Sequence, residues 1–111
     1  MQKSIIVEKD VEDAIDWLKS NEIKCAEHRA NRRYLEDFSK SLKAILMKEF
    51  QDLPISAQER EAYSHKNYQE HLKALRQAVF LDEKFRFKAK TQETIIEAWR
   101  TQEANLRSVK I

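Results

Sequence analysis

Three observations predict an all-α fold, a long antiparallel two-helix hairpin of coiled-coil character. None of the 111 residues is Gly, a single Pro stands at position 54, and apolar residues recur at three- and four-residue steps on both sides of it. Gly is the usual residue for positive-φ turns, phosphate-cradling loops and two-residue β-hairpins, so its absence argues against Rossmann, Walker and all-β architectures. The length fits one helical domain over residues 1–111.

Residues 1–9 are rich in β-branched side chains and lack helical period. Asp10, followed by Glu12, Asp13 and Asp16, reads as an N-cap with acids in the first turn, where they complement the helix dipole. Helix one is therefore expected over about 10–51. Its apolar positions run Val11, Ala14, Ile15, Leu18, thin out through Ile23, Ala26 and Ala30, and return densely from Tyr34 to Phe50. Between Ser20 and Arg33 the stripe consists of small residues, Cys25, Ala26 and Ala30. There the helix is expected to be continuous but weak, with a bend at Ser20-Asn21 as the alternative.

The only breaker is the segment 52–56, where Pro54 biases Leu53 away from helical angles. Ser56-Ala57-Gln58-Glu59 matches the S-x-x-E capping box, so helix two is expected from about 57 to about 107. At 1.5 Å per residue that helix spans roughly 75 Å. Its seam is followed through Tyr68, Leu72, Leu75, Val79, Phe85, Ala89, Ile96 and Trp99, close to the 3.5-residue coiled-coil period.

A turn this short places its two helices antiparallel. Phe80, Leu81, Phe87, Ile95 and Leu106 on helix two, and Trp17 on helix one, lie outside a strict seam. Such a wide apolar surface predicts assembly into a dimeric or higher helical bundle, or a protein partner. A three-helix monomer, with helix one folded back, is the alternative.

Composition bounds the rest. Charged residues make up 36% of the chain, but 21 basic against 19 acidic side chains leave a formal charge of only +2. Lone Cys25 has no internal disulfide partner, and the first 20 residues hold five acids rather than a basic start followed by an apolar run. The expectation is a cytoplasmic protein, with no membrane contact.

Candidate chemistry is sparse. Cys25 and His28 sit at i and i+3, but counted outward from Pro54, Cys25 faces a position near 83, away from His65 and His71. No metal site, cofactor, small-molecule substrate or catalytic residue is expected, and the protein is read as a non-enzyme. Basic residues do cluster. Residues 23–48 carry seven basic side chains against three acids, and the run Lys84-Phe85-Arg86-Phe87-Lys88-Ala89-Lys90 carries four with no acid. Lys24, Arg29, Arg32, Arg33, Lys84, Arg86, Phe87 and Lys88 are thus candidate nucleic-acid contacts, with Phe87 offered for base stacking. The competing reading packs both phenylalanines into the core and an oligomer interface beneath lysine stems. At the far end of helix two, Trp99, Arg100, Asn105 and Arg107 are candidate partner-binding residues of the kind that anchor interfaces. Packing of Trp99 against Ile15 or Trp17 is the plainer alternative.

The block Glu59-Arg60-Glu61-Ala62, completed by Tyr68, and the closing Trp99-Arg100 with Ala104 and Arg107 form E-R-x-A-x-x-x-x-x-Y and W-R-x-x-x-A-x-x-R. Over about residues 57–107 this pattern resembles small uncharacterised bacteriophage and prophage proteins encoded near recombination or single-strand-binding genes. Helix one matches only in general character. The resemblance carries no established reaction and implies an accessory role in phage DNA recombination or replication. The function expected from the whole sequence is an adaptor acting through protein–protein contacts. A direct DNA-binding protein and a structural coiled-coil scaffold are the alternatives.

Overall fold

The computed structural model describes residues 5–110. The described chain is helical and holds no strand: α1 spans Glu8–Met47, a 3₁₀ turn spans Lys48–Phe50, α2 spans Ile55–Ser64 and α3 spans Lys66–Lys110. No described residue has a positive φ, in keeping with a sequence that lacks Gly. No described helix is long and apolar enough to cross a membrane. The chain divides into two compact units, one of Met1–Cys25 with Lys84–Ile111 and one of Ala26–Glu83, and α1 and α3 each contribute to both.

In the first unit, α1 begins two residues before Asp10. Asp10 is not the N-cap. It lies in the first turn, its carboxylate accepts from the Val7 amide at 3.0 Å, and its own amide donates to the Val7 carbonyl at 2.9 Å. The acid thus acts in the reciprocal half of a capping box, covering a donor that the helix leaves open. The non-helical reading of residues 1–9 falls partly on 1–4, outside the described residues. Through Ser20-Asn21 the helix is unbroken. The Asn21 side chain donates to the Trp17 carbonyl at 2.9 Å and remains within the helix.

Val11, Ala14, Leu18, Asn21 and Cys25 on α1, and Phe85, Ala89, Gln92, Ile96, Trp99 and Glu103 on α3, are the buried or half-buried positions that follow strict three–four steps. Trp17 meets Phe85 with ring centroids 6.2 Å apart.

In the second unit the same steps link His28, Arg32, Leu35, Ser39, Leu42 and Leu46 on α1, and Tyr68, His71, Leu75, Ala78 and Asp82 on α3. The seam expected through Leu72 and Val79 is therefore shifted. Leu72 is exposed, whereas the adjacent His71 (8% exposed) and, further along, Asp82 (4%) are buried. Leu46, at 2%, is the large side chain most completely enclosed, and Ala62 and Ala78 complete the apolar centre.

The loop behaves as Pro54 dictates, but the cap differs from expectation. Pro54, with ψ 155°, is the N-cap of α2 and makes no side-chain capping bond. Its carbonyl accepts from the Gln58 amide at 2.9 Å, which moves the helix start to Ile55 and leaves Ser56 inside the first turn. The Gln58 side chain covers the Leu53 carbonyl instead, at 2.7 Å.

Helix two is also not continuous from 57 to 107. It breaks at His65, whose ψ of 140° is extended. No Gly or Pro marks the break, and side chains that compete for the backbone account for it. Where α2 ends, the Gln69 side chain donates to the Tyr63 carbonyl at 2.8 Å and the His65 amide to the Ala62 carbonyl at 3.2 Å. His65 Nδ1 accepts from the Asn67 amide at 3.0 Å, and the His65 carbonyl accepts from the Gln69 amide at 3.0 Å, so a histidine caps α3.

Candidate functional site

The end of α3, in the first unit, gathers the candidate partner-binding residues. At 3.6 residues per turn, Glu97, Arg100, Ala104 and Arg107 share one face, and Trp99 and Glu103 border it on the side of the seam. Trp99, Arg100 and Arg107 line one hollow of about 510 Å³ with Glu97, Thr101, Glu103 and Ala104. Arg100 Nη1 lies 2.9 Å from Glu97 Oε1 on the exposed surface, an i,i+3 pair worth a few tenths of a kcal/mol. Trp99 is half-buried, so its ring offers an apolar edge among charged neighbours, the combination that anchors protein interfaces.

Asn105 lies on the other flank. It lines a second hollow of about 380 Å³ with Ala98, Thr101, Gln102, Leu106 and Val109. Leu106 (50% exposed) and Val109 (84%) leave apolar surface open there.

The basic candidates divide between the units. Lys24, Lys84, Arg86, Phe87 and Lys88 belong to the first unit and are exposed, Phe87 at 69%. Phe85 is half-buried against Trp17, so of the two phenylalanines only it packs inward. Arg29 and Arg33 belong to the second unit and are also exposed.

Arg32 differs from its neighbours because it occupies a seam position. Its guanidinium lies 2.8 Å from Glu83 Oε1, 3.1 Å from Asp82 Oδ2 and 3.6 Å from Glu36 Oε2. Glu83 first, with Asp82 and Glu36 behind it, holds Arg32 above the ordinary arginine value. Arg32 is thus engaged with three carboxylates, unlike the exposed candidates Arg29 and Arg33.

About two turns further along α1 lies a second polar layer. Ser39 Oγ lies 2.7 Å from His71 Nε2 and 3.2 Å from the Leu35 carbonyl oxygen, so it hydrogen-bonds to both. Phe38 meets the His71 ring edge-on at 5.7 Å, and Tyr68 lies 6.1 Å from it. No buried side-chain polar atom among the described residues lacks a partner. Polar seam positions of this kind fix register and partner choice at a cost in stability. A seam traced by apolar residues alone passes over them. The unbroken three–four series through His71 and Asp82 is the signal that finds them.

Two further features were not expected. Lys73, Arg76, Gln77 and exposed Phe80 line a hollow of about 360 Å³ in the second unit. Lys43 Nζ lies 4.8 Å above the centre of the Tyr63 ring and 3.7 Å from Glu59 Oε2, and Tyr63 first, with Glu59, holds this ammonium above the ordinary lysine value. Among the described residues no group of three or more His, Cys, Asp or Glu side chains is placed to hold a metal ion. Comparison with protein-family models, with curated proteins and with solved structures returned no match.

Proposed function

We propose that this protein is a non-enzymatic adaptor that docks a protein partner on the end of α3, within the phage DNA recombination or replication that its resemblance implies. The observation that carries the reading is the convergence of Trp99, Arg100 and Arg107 on one hollow bordered by Glu97 and Glu103. An amphipathic ring beside two guanidinium groups suits a partner that presents an apolar side chain next to carboxylates.

In this reading α1 and α3 form a long antiparallel hairpin that self-associates. Support for the hairpin comes from each unit separately. Ile6 meets Gln102 and Trp17 meets Phe85 in the first, while Arg32 meets Asp82 and Ser39 meets His71 in the second, so residue number rises on α1 as it falls on α3. Support for self-association comes from the small apolar interior. Among the described residues the buried hydrophobic side chains are Val11, Ala14, Leu46, Ala62 and Ala78, while Ile23, Tyr34, Phe80 and Phe87 remain exposed.

The test is capture from phage-infected host lysate on immobilised protein, with Trp99→Ala and Arg107→Glu as variants and circular dichroism as the folding control. Loss of one captured protein in both variants, at unchanged helicity, is expected. Equal capture by wild type and variants would defeat the reading.

The exposed basic residues Lys24, Lys84, Arg86 and Lys88 beside Phe87 favour direct binding of nucleic acid as a second reading. It requires DNA affinity that falls log-linearly with salt in fluorescence anisotropy. Absence of binding at the lowest salt removes it.

A further inference from the structure

α3 carries a second stripe within the first unit, separate from the seam. Phe87, Thr91, Thr94, Ala98, Gln102, Asn105 and Val109 follow steps of four, three, four, four, three and four. At 3.6 residues per turn they fall within an arc of roughly 80°, centred about 140° from the seam, and the stripe is about 33 Å long. None of the seven is charged, in a chain where 36% of residues are. The charged side chains of the same stretch, from Lys88 to Arg107, lie elsewhere around the helix.

The polar groups on this stripe are largely satisfied from within. Thr91 Oγ1 donates to the Phe87 carbonyl at 3.0 Å and Thr94 Oγ1 to the Lys90 carbonyl at 2.8 Å. Gln102 spends both ends of its amide on Ile6. What remains outward is largely the Phe87 ring, threonine carbon, Ala98, Val109 and the Asn105 amide.

The step pattern reads the same in both directions from Ala98. We infer that this stripe is the interface between two copies of the chain, paired antiparallel about a two-fold axis at Ala98. The proposal deepens the self-association in the proposed function by naming its surface. About that axis Phe87 meets Val109 of the partner subunit, Thr91 meets the partner subunit's Asn105, Thr94 meets the partner's Gln102, and Ala98 meets its own copy. The smallest side chain thus lies where the helices cross and the largest lies at the ends, where the hollow bounded by Gln102, Asn105, Leu106 and Val109 receives it. The Asn105 amide finds an acceptor in the Thr91 hydroxyl oxygen. An uncharged stripe suits its own copy because no like charges meet across the axis. A heterologous partner gains no such advantage from the palindrome.

The experiment measures mass by light scattering over a concentration series, on wild type and on Ala98→Arg, which places two like charges on the axis. Wild type is expected to double its mass, and Ala98→Arg to be monomeric at unchanged helicity. A dimer indifferent to Ala98→Arg overturns this surface while leaving self-association intact, and a monomer at every concentration overturns both. Cysteine pairing then reads direction in a Cys25→Ser background. Ala98→Cys is expected to cross-link to itself. Thr91→Cys and Asn105→Cys are expected to cross-link only when mixed, because each lies about 21 Å from its own copy along a matched pair, beyond the ~7 Å a disulfide spans. Self-linking of Thr91→Cys would mean a parallel pair and would sink the proposal.

Discussion

Gln102 holds the backbone of Ile6 on both of its polar groups: its Nε2 donates to the Ile6 carbonyl at 2.7 Å and its Oε1 accepts from the Ile6 amide at 3.3 Å. The side chain therefore acts as one strand of a two-bond ladder for a segment that lies outside any helix. Replacing Gln102 by Ala removes two bonds of about 0.5–1.5 kcal/mol each. Hydrogen exchange at Ile6 is expected to accelerate, while far-UV circular dichroism remains unchanged. Unaltered exchange at Ile6 would show that the clamp contributes nothing.

Leu46 is the large side chain most completely enclosed. Leu46→Ala is expected to cost about 2–5 kcal/mol, the usual range for a leucine truncated in a packed interior. Urea titration should show the midpoint falling with little change in slope.

Asp82 and Arg32 face each other across the seam of the second unit. Asp82→Ala leaves the guanidinium beside an apolar gap, with Glu83 and Glu36 as its remaining carboxylates, so a lower urea midpoint is expected. Arg32→Leu combined with Asp82→Leu is expected to recover much of that loss, since a buried ion pair is often matched by well-packed hydrophobic side chains. A double variant less stable than Asp82→Ala would contradict this account.

His65 caps α3 through Nδ1, which accepts from the Asn67 amide at 3.0 Å. His65→Ala is expected to cost about 0.5–2 kcal/mol, the range for a lost N-cap, and His65→Asn to restore part of it. Thermal melts of the two variants make the comparison.

Lys43 supplies the pH dependence. Its folded pKa is raised, chiefly by Tyr63 and then by Glu59, so the ammonium favours the folded state. That contribution is complete at neutral pH. It disappears as pH climbs past the ordinary lysine value and through the raised one. Wild type is therefore expected to be more stable than Lys43→Met at pH 7, with the difference closing in strongly alkaline urea titrations. A constant difference across that range would assign the effect to packing.

The all-helical character and the interruption at Pro54 were legible because both follow from local chemistry: no residue favours positive φ, and a Pro restricts the residue before it. The sequence named Trp99, Arg100, Asn105 and Arg107 as one set by residue type, and did not show that Asn105 lines a different hollow from the other three. The buried pair His71 and Asp82 was not legible, because hydropathy ranks a histidine and an aspartate as surface residues and their partners, Ser39 and Arg32, lie more than 30 residues away. Arg32 looked like its neighbours Arg29 and Arg33 for the same reason. The break at Ser64-His65 was hidden because neither residue is a strong breaker, and the side-chain bonds that mark it, from the Asn67 amide to His65 and from Gln69 to the Tyr63 carbonyl, are not visible in the sequence.

Every described residue has a backbone conformation that any ordinary amino acid tolerates, since none has a positive φ. The main chain therefore vetoes few substitutions, apart from Pro inside the helices and changes at the loop. Selection on this architecture acts almost wholly through side chains at alternating three- and four-residue intervals. Between those intervals the sequence is free to drift. Many dissimilar sequences can encode the same helices, so descent within such a lineage is better traced by the placement of its few buried polar residues than by overall identity.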